Sequence, residues 1–167
     1  DFARQKDYVF EETNINQLVD ETLDFTQSDI NSGKTTVVKQ YGTDLPRVKI
    51  SSSHLQQVFI NLITNAVQAM APQGGKLTIS TDQNNEVDER GTIQPTIQVH
   101  FRDTGIGISQ ENLTHVFDPF FTTKDIGKGT GLGLTISYGI IQRHNGKIIA
   151  TSEGEGHGAE FTVILPL

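Results

Sequence analysis

The sequence predicts a single domain of the α+β class, and three observations carry that expectation. The chain has 167 residues, enough for one domain with a real core and too few for two comfortable ones. Three stretches space their apolar residues as helices do. Short strand-like runs lie between and after them, bounded by glycine, proline and polar turn residues.

Residues 1–8 are polar, carry no cap, and read as the end of a preceding element; residues 9–167 read as the domain proper. From Asn14 to Phe25, the residues Ile15, Leu18, Val19, Leu23 and Phe25 follow a helical period with acidic residues between them. Strand-like runs follow at Thr35–Lys39 and Arg47–Ile50, separated by Tyr41-Gly42-Thr43-Asp44. Ser51 to Ser53 offers an N-cap for a long helix that stops at Ala71-Pro72. Leu77–Thr81 and Thr96–Arg102 read as strands on either side of a solvated connection, Asp82 to Gly91. A short helix is expected at Ser109–His115 and a last one at Leu132–His144, stopped by Asn145-Gly146. Strands at Lys147–Thr151 and Ala159–Leu165 close the chain, joined by a glycine-rich turn.

Composition excludes several function classes. The net charge is −7 with no cluster of Lys or Arg, which argues against nucleic acid as a primary ligand. Without cysteine there is no disulfide framework or thiolate chemistry, and a reducing compartment is expected. No signal peptide or long apolar run appears, so no direct membrane insertion of this segment is expected.

The helix after Ser53 gathers Val58, Phe59, Leu62, Ile63, Ala66, Val67, Ala69 and Met70 on one arc when wound at about 100° per residue. His54, Gln57, Asn61, Thr64, Asn65 and Gln68 fall on the other arc. Any half-buried helix has a polar face, but this one holds no Asp, Glu, Lys or Arg between Ile50 and Lys76. Solvated faces favour Glu, Lys and Arg, which form helices better than Asn and Thr do. Amide oxygens are hard, neutral ligands able to complete a magnesium shell otherwise made of phosphate oxygens and water. Asp103-Thr104-Gly105-Ile106-Gly107-Ile108 reads either as a common Asp-x-Gly turn or as a pocket floor. In the second reading Asp103 ends a strand and Ile106 and Ile108 wall the site. A carboxylate only accepts hydrogen bonds, so it suits the exocyclic amine of adenine and has nothing to offer the carbonyl of guanine.

Phe117-Asp118-Pro119-Phe120-Phe121-Thr122-Thr123-Lys124 runs into Gly127-Lys128-Gly129-Thr130-Gly131-Leu132-Gly133-Leu134, which opens onto an apolar helical run. Alternating glycines admit close backbone approach and present N–H groups beside a helix N-terminus, a way of holding phosphates with few charges. The segment satisfies neither a Walker A loop nor the dinucleotide fingerprint, because the lysine is followed by glycine and no strand precedes.

Asn61-Leu62-Ile63-Thr64-Asn65-Ala66, Asp103 to Gly107, Phe117 to Lys124 and Gly129 to Leu134 resemble, in order and spacing, the N, G1, F and G2 boxes of sensor histidine kinases. The resemblance runs from about Asn14 to Leu167. It implies the two-layer α/β sandwich shared with gyrase, the heat-shock chaperone and mismatch-repair ATPases (the Bergerat-type fold), a mixed, mostly antiparallel sheet with helices on one face and ATP between them. By position, Asn65 would coordinate Mg²⁺, with Asn61 one turn before it. Asp103 would bind adenine, Gly105 and Gly107 would shape the pocket floor, and Ile108 would line it. Gly129, Gly131 and Gly133, with Thr130 and Leu132 between them, would meet the phosphates. Phe117 to Thr130 would form a mobile lid.

The water-hydrolysing branch of that superfamily places a glutamate where this chain has Asn61, and an amide cannot take a proton from water. That branch also carries threonine where Ala159 follows Gly158. Both differences favour the kinase branch. A basic residue usual in histidine kinases is missing: Gln68 stands three after Asn65 and Thr122 follows the aromatic segment. Lys124 is the candidate replacement and Lys128 the second, so Asn61 and Lys124 are the candidate catalytic pair. The five histidines precede Leu55, Phe101, Val116, Asn145 and Gly158, whereas a phosphoacceptor histidine is usually followed by Glu or Asp. His100 and His115 are expected as packing residues.

The resemblance therefore implies a catalytic, ATP-binding part of a larger kinase, with Asp1-Phe2-Ala3-Arg4 ending the dimerisation and phosphoacceptor hairpin. Its partners would be that hairpin and the receiver domain of a response regulator. The fragment would be monomeric and the full protein a homodimer, in the cytoplasm or as the cytoplasmic portion of a membrane-bound sensor. The alternatives are a serine/threonine protein kinase with the same boxes and a nucleotide-binding regulatory module without catalysis.

Overall fold

The structure, a computed structural model, describes residues 7–121 and 133–167. The elements run β1 (Glu11–Thr13), α1 (Ile15–Phe25), α2 (Gln27–Ser32), β2 (Thr35–Tyr41), β3 (Val48–Ile50), α3 (Ser52–Met70), β4 (Gly75–Val87), β5 (Ile93–Asp103), α4 (Gln110–Leu113), α5 (Gly133–Arg143), β6 (Lys147–Thr151) and β7 (Ala159–Pro166). Five strands form one sheet in the order β2-β4-β5-β7-β6, with β2 parallel to β4 and every other pair antiparallel. A separate two-stranded ribbon pairs β1 with β3. This is the two-layer α+β sandwich that the motifs imply.

Alternation along the strands determines which face receives the helices. Leu77 and Ile79 of β4, Ile97, Val99 and Phe101 of β5, and Phe161, Val163 and Leu165 of β7 are all buried. Thr78, Ser80, His100, Arg102 and Thr162, which alternate with them, are not, as a half-covered sheet requires, although Gln98 and Ile164 on that other face are also buried. Against the buried face lies α3, whose Leu55, Val58, Phe59, Leu62, Ile63, Ala66, Val67 and Met70 are buried. The Phe59 and Phe101 rings meet at 5.5 Å, joining helix to sheet near the middle of the core. Leu55 joins the expected apolar arc, whereas Ala69 is half-buried and its carbonyl accepts from Ile106 N–H at 3.0 Å.

Several expectations change. β4 continues through Val87, well into the region read as a connection from Asp82 to Gly91, and β5 begins at Ile93, three residues before the expected Thr96, so that the two pair as far as Val87 with Ile93. Only 88–92 turns, with Asp88 Oδ1 accepting from the Arg90 and Thr92 amides at 2.9 and 2.8 Å. The strand extension is mostly solvated on both faces, so no apolar period marks it; backbone pairing holds it, with Thr96 Oγ1 donating to Asn84 O and Gln98 Nε2 to Glu86 Oε1 across the pair. The short β1 and α2 had no periodic signature of their own. Ser51 occupies the N-cap position of α3 without a side-chain cap bond; its hydroxyl lies 2.6 Å from His54 Nδ1 instead. The helix expected at Ser109–His115 contracts to Gln110–Leu113, with Ser109 Oγ accepting from Asn112 N–H. His115 is exposed and pairs with Asp118 at 2.8 Å rather than packing. His100 stands on the open sheet face, 3.0 Å from both Thr162 Oγ1 and Asp82 Oδ2. No helix among the described residues is long and apolar enough to cross a membrane.

Candidate nucleotide site

Asp103 is the last residue of β5 and is 5% exposed. Its Oδ1 accepts from Gly105 N–H at 2.8 Å and from Ala159 N–H at 3.3 Å. Among the described residues those are its only hydrogen bonds, so Oδ2 is left to receive a ligand donor. Burial pushes the Asp103 carboxyl up from its ordinary value, and the two backbone N–H groups partly offset that rise. The geometry is that of a fixed acceptor at a strand end.

The floor beside it is made of two loops joined by two backbone hydrogen bonds and one to a serine hydroxyl. Gly158 N–H donates to Gly105 O at 3.1 Å, Gly156 N–H to Ile106 O at 2.7 Å, and Ile108 N–H to Ser152 Oγ at 3.0 Å. The approach demands glycine. Gly107 has φ +72°, and a Cβ there would lie 2.1 Å from Gly154 O; at Gly105 it would lie 2.5 Å from Ala69 O. Ile106 is 58% exposed while Ile108 packs against the core, so one isoleucine is available as a wall and the other anchors the loop.

On α3, Asn61, Thr64 and Asn65 are half-buried and Gln68 is exposed. Asn61 Nδ2 donates to Gly133 O at 3.1 Å and to Ser137 Oγ at 3.2 Å. It thereby ties the start of α5 to α3, a structural task the sequence did not reveal. Phe117 packs on Tyr138 and edge-on to Phe161, and its carbonyl accepts from Thr135 Oγ1 at 3.0 Å. The aromatic segment is therefore moored to the first turn of α5.

Lys124, Lys128, Gly129, Thr130, Gly131 and Leu132 lie outside the described residues, as does most of the expected lid. Asp103, Gly105, Gly107 and Ile108 are brought together on the floor, and Asn61 and Gly133 meet across the helix pair. Three contributors had no signal in the sequence: Ser152, the Ala159 amide and Ser137. A serine in a turn and a backbone N–H look the same whether or not they serve a site.

Among the described residues no group of three His, Cys, Asp or Glu could hold a metal ion. The polar face of α3 offers neutral amides, a donor set that fits a cation only when other oxygens complete its shell.

Residues 50–167 match the model of the histidine kinase-, DNA gyrase B-, and HSP90-like ATPase family. Sporulation kinase E of Bacillus subtilis is 32% identical over 99% of this chain, and the signal transduction histidine-protein kinase AtoS of Escherichia coli is 35% identical over 100%. The chain spans only 21% and 26% of those two proteins. The catalytic domain of histidine kinase ThkA superposes with a TM-score of 0.77 at 30% identity, covering 95% of this chain and 97% of that one. ThkA has also been solved in complex with response regulator protein TrrA, and that structure matches at 26% identity with a TM-score of 0.76, over 99% of this chain and 44% of that one. By its motifs, its fold and these matches, the chain belongs to the histidine kinase-, DNA gyrase B-, and HSP90-like ATPase family.

Proposed function

We propose that this chain is the cytoplasmic catalytic domain of a sensor histidine kinase, binding Mg·ATP and passing its γ-phosphoryl group to a histidine on a separate helical hairpin. The observation that carries the reading is Asp103: a buried carboxylate at a strand end, held by two backbone amides on one oxygen and open to a ligand donor on the other. Similarity to kinase catalytic domains covering nearly this whole chain supports it further.

Asp103 accepts a hydrogen bond from the exocyclic amine of adenine, which selects ATP over GTP. Gly105 and Gly107 let the floor pack closely on Ala69 and Gly154 and so shape the pocket beneath the base. Asn65 would hold Mg²⁺ together with phosphate oxygens and water, and the ion would supply neutralisation of the phosphate charge. Asn61 keeps α5 in register with α3, and Lys124 or Lys128 with the glycine amides of 129–133 stabilises the phosphate charge. Transfer is in line: the histidine nitrogen forms a bond to the γ-phosphorus as the bond to the β–γ bridging oxygen breaks, and ADP leaves. The phosphoryl group then passes to a response-regulator receiver domain, a step for which the solved complex of the similar kinase with its regulator is the support.

The test is calorimetric titration with ADP and GDP, with and without magnesium. Micromolar, magnesium-sensitive binding of ADP alone is the expected result. Binding of neither nucleotide would overturn the reading.

A further inference from the structure

Ser152 lies between β6 and the glycine-rich turn, outside every motif that suggested a nucleotide site. Its hydroxyl has one proton to donate and two lone pairs to accept with, and all three are used. Ser152 Oγ donates to Gly158 O at 2.6 Å and accepts from Ile108 N–H at 3.0 Å and Gly154 N–H at 3.2 Å. One side chain thus joins both loops of the candidate floor.

The Gly158 carbonyl shares its peptide plane with the Ala159 N–H, and that N–H donates to Asp103 Oδ1 at 3.3 Å. A peptide group is rigid and planar, so holding its oxygen also aims its N–H. The hydrogen bond to the oxygen further polarises the N–H on the opposite side of the plane. Gly158 N–H donates to Gly105 O at 3.1 Å and Ala159 pairs with Asp103 at the start of β7, which place the chain here, while Ser152 is the side chain that holds the Gly158 oxygen. Gly158 has φ +70°, and a Cβ there would lie 2.2 Å from Asp103 O, so the turn has no side chain with which to fix itself.

We propose that Ser152 is a positioning residue that aims the Asp103 carboxylate through the Gly158–Ala159 peptide plane, and thereby sets the affinity and base selectivity of the nucleotide site. This inference rests on the nucleotide reading of Asp103. Ser152 itself touches no substrate.

Two variants and two readouts test it. Ser152→Ala should weaken ADP binding about tenfold, equivalent to roughly 1.4 kcal/mol, and narrow the preference for ADP over GDP. Ser152→Thr keeps the hydroxyl and should restore both to within about twofold. In the absence of nucleotide, NMR titration of the Asp103 carboxyl should show its pKa rising further in Ser152→Ala, because a hydrogen bond to the charged form is lost. A merely structural serine would lower thermal stability without moving that titration. Wild-type ADP affinity and an unmoved Asp103 titration in Ser152→Ala would overturn the inference while leaving the nucleotide site intact. A threonine variant as weak as the alanine variant would also overturn it, since packing rather than the hydroxyl would then matter. Wild-type protein that binds neither nucleotide would overturn the reading of the site, and the selectivity claim with it.

Discussion

The Tyr8 ring lies flat on the His54 imidazole, their centroids 3.7 Å apart and their planes 10° from parallel. The Arg143 guanidinium stands 4.9 Å from the same tyrosine ring, and Phe10 leans on His144 at 5.1 Å. Ser51 links the two histidines, its hydroxyl against His54 and its amide donating to His144 Nε2. Thus α3 and α5, which meet at Asn61 near one end of α5, clasp the N-terminal segment at the other. Tyr8→Ala should cost about 1–2 kcal/mol in denaturant unfolding, the scale of a ring stack with a cation beside it. Tyr8→Phe keeps the ring and should unfold almost like wild type. Equal losses in both variants would show that the stack contributes nothing.

Asp103 should give nucleotide binding and stability opposite pH slopes. Its native pKa lies above the ordinary value of 3.8, so through that window the native state binds more protons than the unfolded state. Its contribution to stability therefore falls as pH rises from 3.8 through the raised native value, then stays level. ADP binding needs the charged acceptor and should strengthen over the same rise. Asp103→Asn should remove both slopes, weaken ADP and narrow its advantage over GDP. Calorimetry across acid pH checks this, and an unchanged nucleotide profile in the variant would move the adenine site elsewhere.

His144 should make the domain acid-sensitive. Its Nε2 accepts from Ser51 N–H at 3.1 Å, so the proton sits on Nδ1, which donates to Ile140 O at 2.8 Å. Burial lowers its pKa below the ordinary 6.5; the Ile140 bond opposes this, and His54 nearby adds to the lowering. Between the lowered native value and 6.5 the unfolded state binds more protons. Stability should therefore drop as pH falls below 6.5 and level off beneath the native pKa. Urea unfolding at about pH 5 and pH 8 should show the loss, and His144→Gln should flatten it.

Asn65→Ala should abolish the magnesium dependence of ADP binding and leave the fold intact. Alanine is the better helix former and the position is half-buried, so the unfolding free energy should change by no more than about 1 kcal/mol. Preserved magnesium dependence would place the metal ligand at another residue.

Much of the fold was legible because its signals are local. The α1 period from Ile15 to Leu23, the arc from Val58 to Met70 and the Asn145-Gly146 stop each need only neighbours in sequence. The extension of β4 and β5 past Asp82 was not legible, since strands solvated on both faces carry no alternation. Nor was β1, whose three residues acquire meaning only from pairing with Val48–Ile50. At the site, an Asp-x-Gly turn is common by itself, and Asp103 and the glycines could be singled out because they fall in order and spacing with the other motifs.

By itself the sequence determined the longer elements, most of the buried arc of α3 and the motifs that identify the family, because periodicity and residue spacing are properties of a line. Only the tertiary structure decided that Asn61 ties α3 to Gly133 and Ser137, that Ala159 N–H completes the hold on Asp103, and that Ser152 sits behind both. Those contacts join residues 44 to 76 positions apart, and the groups involved are amides, carbonyls and hydroxyls that occur everywhere in a chain. Their meaning comes from where β5, β6 and β7 bring the backbone, and residue type alone does not carry it.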